Sequence, residues 1–97
     1  MAFSSKNNRI TIKGYLTSNV EDYDDYAITF NVKVMRPTEQ GKRPFYDVFT
    51  VYVCDKQNVG NCRNNLVKGS SVSVTGELRV WVDGSYKICA NKVSPIW

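Results

Sequence analysis

The chain has 97 residues, 42% of them hydrophobic, with 13 basic and 9 acidic side chains, a formal charge of +4 and no histidine. This length supports one domain with one modest core. No apolar run approaches the ~20 residues that a membrane-spanning helix needs, and the stretch Met1-Ala-Phe-Ser-Ser-Lys-Asn-Asn has no signal-peptide apolar region, so a soluble, cytoplasmic protein is expected.

In chain order, Ile10 and Ile12 alternate with Arg9, Thr11 and Lys13, which predicts a first strand reaching Gly14 or Leu16. Residues 17–26 follow as an irregular piece. Within it Val20-Glu-Asp-Tyr-Asp-Asp-Tyr26 holds four of the acidic residues, leaving thirteen basic against five acidic elsewhere. A basic surface of that kind attracts polyanions such as nucleic acid, although lysines also serve solubility. Ile28, Phe30, Val32 and Val34 alternate with Thr29, Asn31, Lys33 and Met35 as a second strand. Arg36-Pro-Thr-Glu-Gln-Gly-Lys-Arg-Pro-Phe45 then reads as a projecting basic loop, kept out of register by its prolines.

Phe49, Val51 and Val53 alternate with Val48, Thr50, Tyr52 and Cys54 as a third strand. Each of these strands has one apolar and one mixed row, as antiparallel strands packed on one face do. Lys56 to Val67 places Val59, Cys62, Leu66 and Val67 on a helical stripe, with Gly69 as its stop, which predicts one short helix despite Gly60 and several asparagines. Val72 and Val74 open a fourth strand running to Val82, with Leu78, Val80 and Val82 inward and Arg79 and Trp81 outward. Asp83-Gly84 predicts a two-residue type I′ turn into a fifth strand, Tyr86 to Val93. Gly14 and Gly76 interrupt apolar alternations, where they would allow the coiling that closes a small barrel. Cys54, Cys62 and Cys89 are odd in number and lack C-x-x-C spacing, so buried, reduced thiols are expected, with no metal site.

This order predicts an all-β protein: a five-stranded Greek-key barrel of the OB fold, with one short helix between strands 3 and 4 and a single domain over residues 1–97. Asn8-Arg-Ile-Thr-Ile-Lys-Gly-Tyr-Leu16 and Leu66-Val-Lys-Gly-Ser-Ser-Val-Ser-Val-Thr-Gly-Glu-Leu-Arg79 resemble the opening strand and the Lys-Gly-Ser segment of bacterial-type single-stranded DNA-binding proteins. The resemblance runs from about residue 8 to residue 96 and implies nonspecific binding of single-stranded DNA during replication, recombination or repair. The assembly it implies is a homotetramer or dimer. Its contact positions fall on Thr29, Lys56, Lys68 and Arg79, with Trp81 at the next outward place on strand 4. The aromatic expected after strand 3 is replaced by Cys54, and a tryptophan expected near the end of strand 2 falls close to Arg36. Family members that recruit replication enzymes carry an acidic tail, and a chain ending at Ser94-Pro-Ile-Trp97 would lack it, as does the primosomal restart protein PriB.

The expected chemistry is stacking of bases on Tyr46, Tyr52 and Trp81, with phosphates neutralised by Lys13, Lys33, Arg36, Lys42, Arg43, Lys56, Lys68, Arg79 and Lys87. The partner is single-stranded DNA, with RNA the alternative, and no cofactor, metal or small-molecule substrate is expected. Each residue also has a plainer role. Trp81 would fit a subunit interface or barrel end, Tyr52 a cross-strand packing contact, Arg79 an ion pair with Glu77 or Asp83, and the loop cations simple solvation. The acidic segment is a solvated loop, a repeller of phosphate or a mimic of DNA. An enzyme is disfavoured: no P-loop, G-x-G-x-x-G or H-E-x-x-H pattern occurs, and Asp24 and Asp25 have nothing apolar beside them to raise a pKa. A PriB-like or other protein-interaction module on the same barrel is the rival reading.

Overall fold

The computed structural model describes residues 7–37 and 41–96, so residues 38–40 of the predicted basic loop, the N-terminal stretch 1–6 and Trp97 lie outside the described residues. The elements are β1 (Ile10–Leu16), β2 (Glu21–Asp22), β3 (Ile28–Met35), β4 (Tyr46–Val53), α1 (Lys56–Asn65), β5 (Ser71–Val80) and β6 (Tyr86–Pro95). Strands neighbour one another in the order β1-β5-β6-β4-β3-β2, and β1 also pairs with β3, so five strands close into a barrel. Tiny β2 hangs on the outer edge of β3 through Glu21↔Thr29 and Asp22↔Ile28. That extra strand corrects the predicted position of the helix, which lies between β4 and β5. No described helix is long and apolar enough to cross a membrane.

The period-two patterns have the expected consequence. Ile28, Phe30 and Val32 of β3, Val51 and Val53 of β4, Val72 and Val74 of β5 and Ile88 of β6 all point inward, at 2% exposure or less. Burial of each such side chain contributes roughly 1.5–3 kcal/mol. Gly14 lies where β1 leaves β5 for β3, and a Cβ there would sit 2.1 Å from the Lys33 carbonyl oxygen. The two strands approach that closely because no side chain intervenes. Gly76 permits a similar approach beside the β5–β6 irregularity, where Thr75 faces Lys92 and Gly76 faces Ala90, leaving Asn91 as the extra residue. The carbonyl of Asn91 is not left unpaired: the Asn58 side-chain amide donates to it at 3.0 Å from α1.

Helix α1 closes one end of the barrel with Val59 and Cys62, backed by Leu66. It stops at Asn65, where Leu66 turns extended, so Val67 is exposed and does not continue the stripe. Gly69 is not the helix stop; it lies in the turn closed by the bond from the Ser70 N–H to the Val67 carbonyl, 3.0 Å. Of the three cysteines, Cys62 is buried, Cys89 half-buried and Cys54 exposed, which corrects the expectation for Cys54. Burial pushes the Cys62 thiol from its ordinary 9.0 to about 11. In that window the folded chain holds a proton the unfolded chain has released, so stability is intact below it and declines as pH rises through it. Urea midpoints measured across the same window should fall less steeply for Cys62→Ala than for the parent.

The β5–β6 hairpin differs most from expectation. β5 ends at Val80, and the three-residue loop Val82-Asp83-Gly84 replaces the two-residue turn. Trp81 N–H donates to the Ser85 carbonyl at 2.8 Å and Gly84 N–H to the Trp81 carbonyl at 2.9 Å, with Gly84 at φ 85. No described non-glycine residue has positive φ, so a type I′ turn, which would need it at Asp83, is not formed. Leu78 and Val80 follow the inward parity but are 40% and 63% exposed, because the hairpin leaves the barrel at the Leu78↔Ile88 pair, whose Ile88 is the last buried residue on that face, while Val82 lies in the loop and is fully exposed.

Candidate nucleic-acid interface

The outward rows of the sheet collect the polar, cationic and aromatic side chains. Cross-strand register aligns Glu21 of β2, Thr29 of β3, Tyr52 of β4 and Cys89 of β6 in one transverse row that ends at Glu77 of β5. Tyr52 is the centre of an aromatic cluster. Its ring meets Tyr23 edge-on at a centroid distance of 5.2 Å and Trp81 at 5.3 Å, with interplanar angles of 86° and 70°. The Trp81 indole N–H donates to the Tyr23 hydroxyl at 3.0 Å. Burial raises the Tyr52 phenol above its ordinary pKa, with smaller contributions from Cys54 and Asp24.

Cations frame this cluster. Lys87 holds its ammonium 4.5 Å from the Trp81 ring centroid and also donates to Ser85 Oγ at 3.1 Å. Arg79, which faces Lys87 across the ladder, is ion-paired with the buried carboxylate of Glu77, one of the two partners expected for it. Among the described residues Glu77 is the buried charged side chain, and a paired guanidinium is the condition under which a carboxylate tolerates that burial.

Along β3 and β4 the same face continues through Asn31 and Thr50, bonded at 2.8 Å, to Lys33 and Val48 and then to Met35 and Tyr46. From Tyr52 to Tyr46 this is about 20 Å of strand. It opens into a groove of about 710 Å³ lined by Lys13, Tyr15, Lys33, Met35, Tyr46 and Lys68, among others. Lys33 lies over the Tyr46 ring, 4.2 Å from its centroid. The Lys68 backbone N–H is held by Asn19 Oδ1 at 2.8 Å, which fixes the Lys-Gly-Ser turn at the groove rim.

The structure therefore brings together Thr29, Tyr52, Arg79, Trp81 and Lys87 at one end of the face, and Lys13, Lys33, Tyr46 and Lys68 at the other. Other candidates stand apart. Arg36 is clamped by Asp47 through bonds of 2.6 Å and 2.9 Å at the base of the β3–β4 hairpin. Those hydrogen bonds hold the Asp47 carboxyl below its ordinary pKa. Lys42 and Arg43 are exposed on the loop that precedes Tyr46. Lys56 opens α1 and lines a different groove, with Asp25, Tyr26 and Arg63.

Two residues of the face escaped the sequence reading. Tyr15 continues the outward alternation of Thr11 and Lys13, a signal that was present in β1. Tyr23 had no such signal: it reaches Tyr52 because Asp24 turns the chain back by accepting from the Tyr26 and Ala27 N–H groups, each at 2.8 Å.

No protein-family model and no curated protein sequence matches the chain. Solved structures do. The small single-stranded DNA-binding protein of Streptomyces coelicolor superposes with a TM-score of 0.72 at 22% identity, over 91% of this chain and 92% of that one. The mitochondrial single-stranded DNA-binding protein Rim1 of S. cerevisiae gives 0.67 at 13% identity, over 99% and 96%. At these identities the likeness is one of fold, and it agrees with the resemblance carried by the opening strand and the Lys-Gly-Ser segment.

Proposed function

We propose that this protein binds single-stranded DNA without sequence preference, acting as a binding protein rather than an enzyme. The observation that carries the reading is a continuous outward face with rings at both ends, Tyr52 and Trp81 at one and Tyr46 at the other, and lysines beside each. An unpaired strand presents a π face and a phosphate at every nucleotide. Stacking on an aromatic contributes roughly 1–3 kcal/mol per base for any of the four bases, so such a face needs no base-edge readout. Trp81 and Tyr52 stack, while Lys13, Lys33, Lys68 and Lys87 neutralise phosphates and release counterions. Thr29 supplies a small polar contact beside Tyr52. Coating exposed strands in this way suits replication, recombination or repair.

The discriminating experiment is a mobility shift with single-stranded DNA, duplex DNA and RNA of equal length at low salt. Preferential retention of the single strand supports the reading, and equal or stronger binding to duplex refutes it. Lys33→Ala should lower the slope of log affinity against log salt by about 0.7, the counterion release expected of one single-strand phosphate contact. Titrations at several salt concentrations read this directly.

A second reading, assembly with further chains, is favoured by the projecting β5–β6 hairpin. Its Leu78, Val80 and Tyr86 present exposed apolar surface on one face. A homodimer or tetramer is the proposed form, and solution mass with and without oligonucleotide tests it.

A further inference from the structure

We propose that residues 21–26 form a strap that closes over the Tyr52–Trp81 platform and competes with the strand for it; the inference rests on the single-strand reading above. The strap imitates what it excludes. Tyr23 sets its ring edge-on to Tyr52 and its hydroxyl on the indole N–H of Trp81, taking the space beside the platform and the donor that a bound nucleotide would use. Glu21 stands in register beside Thr29, one strand from Tyr52, and puts a carboxylate where a phosphate approaching Thr29 would sit.

The strap is also lightly held. Every residue from 21 to 26 is exposed, and none belongs to the core. Its ties to the rest of the barrel are a two-residue ladder to β3, the surface pair Asp22–Arg63 at 2.7 Å, the Tyr23–Trp81 bond and the ring contact with Tyr52, and its turn closes on Ala27, whose carbonyl accepts from the Tyr23 N–H at 2.9 Å and whose N–H donates to Asp24 at 2.8 Å. Exposed pairs and short edge ladders open at low free-energy cost, so the closed arrangement is one of two accessible states. A strand that binds only the open state has its apparent affinity reduced by the fraction of open molecules. Opening also carries negative charge away from the edge of the face.

The test uses the full chain with Trp97→Phe, which leaves Trp81 as the single tryptophan. Tyr23→Ala should bind an oligo-dT about 5- to 10-fold more tightly, the gain from a platform closed in some 80–90% of molecules. Trp81 emission in the free variant should shift to the red. Asp24→Ala and Asp24→Asn form a charge-matched pair: the first removes the turn acceptor, and the second keeps one. Tighter binding by Asp24→Ala than by Asp24→Asn supports the strap independently of Tyr23. If the parent binds and neither Tyr23→Ala nor Asp24→Ala gains, the strap is refuted and the single-strand reading stands. If Tyr23→Ala binds more weakly, Tyr23 is part of the platform and the strap is likewise refuted. If no form binds, the single-strand reading falls and takes the strap with it.

Discussion

Gly76→Ala should destabilise the fold by about 3 kcal/mol, the upper end of what overpacking a close contact costs. The reason is backbone, not side chain. A Cβ at this position would stand 2.1 Å from the Cys89 carbonyl oxygen and 2.9 Å from the Ala90 Cα, and neither atom can move without pulling β6 from its ladder. The sign is informative, because Gly→Ala at a compatible site normally stabilises by about 0.4–1 kcal/mol through the unfolded chain. Gly60→Ala supplies the contrast. Its Cβ would meet nothing within 4 Å on the surface of α1, so helix propensity should raise stability by roughly 0.8–1 kcal/mol. Urea unfolding of the two variants checks both signs in one experiment, and a stabilised Gly76→Ala would show that β5 and β6 are further apart there than the structure has them.

Trp81→Ala should weaken binding of a single-stranded oligonucleotide by about 10- to 100-fold, the equivalent of losing one stacked base. The salt dependence should be nearly unchanged, since an indole releases no counterions. This separates it from Lys33→Ala, whose principal effect is on the slope. Equal behaviour of the two variants in salt-resolved titrations would contradict the assignment of stacking to the rings and neutralisation to the cations. The loss is smaller than the full stacking contribution to the extent that Trp81→Ala also releases the Tyr23 hydroxyl.

Much of the barrel was legible in the residues themselves. β1, β3 and β4 each pack one face on the core, and a one-sided strand writes its geometry into the sequence as strict alternation. The same rule misled at Leu78 and Val80, and Val82 lies beyond the strand in the loop. Alternation reports the direction in which a side chain points, not whether any core remains beneath it, and the hairpin outruns the barrel there. The dipeptide Asp83-Gly84 favours a two-residue type I′ turn. The observed loop uses glycine at its last position instead, and Ser85 donates to Asp83 Oδ1 through both its N–H and its hydroxyl, at 2.9 Å and 2.7 Å.

The candidate face was legible wherever parity alone decides it, as for Lys33, Tyr52 and Trp81. Contacts made by chain reversal were not. Tyr23 belongs to a segment without periodicity, and its place against Tyr52 depends on the Asp24 turn and on β2, whose two residues carry no strand pattern. Arg36 looked like a phosphate ligand from charge and position. Its partner Asp47 lies eleven residues on, across the hairpin ends where Met35 pairs with Tyr46, a proximity that only the register of β3 and β4 creates.

The central claim is that an unpaired strand lies on the outward face of β3, β4, β5 and β6, from Tyr46 to Trp81. Amide chemical-shift mapping on addition of an oligo-dT tests it most directly. The account predicts that the largest changes fall on Thr29, Lys33, Tyr52, Trp81 and Lys87, with little change along α1. Changes centred instead on Lys56, Gly60 and Arg63, with the Tyr52 and Trp81 amides unmoved, would contradict it.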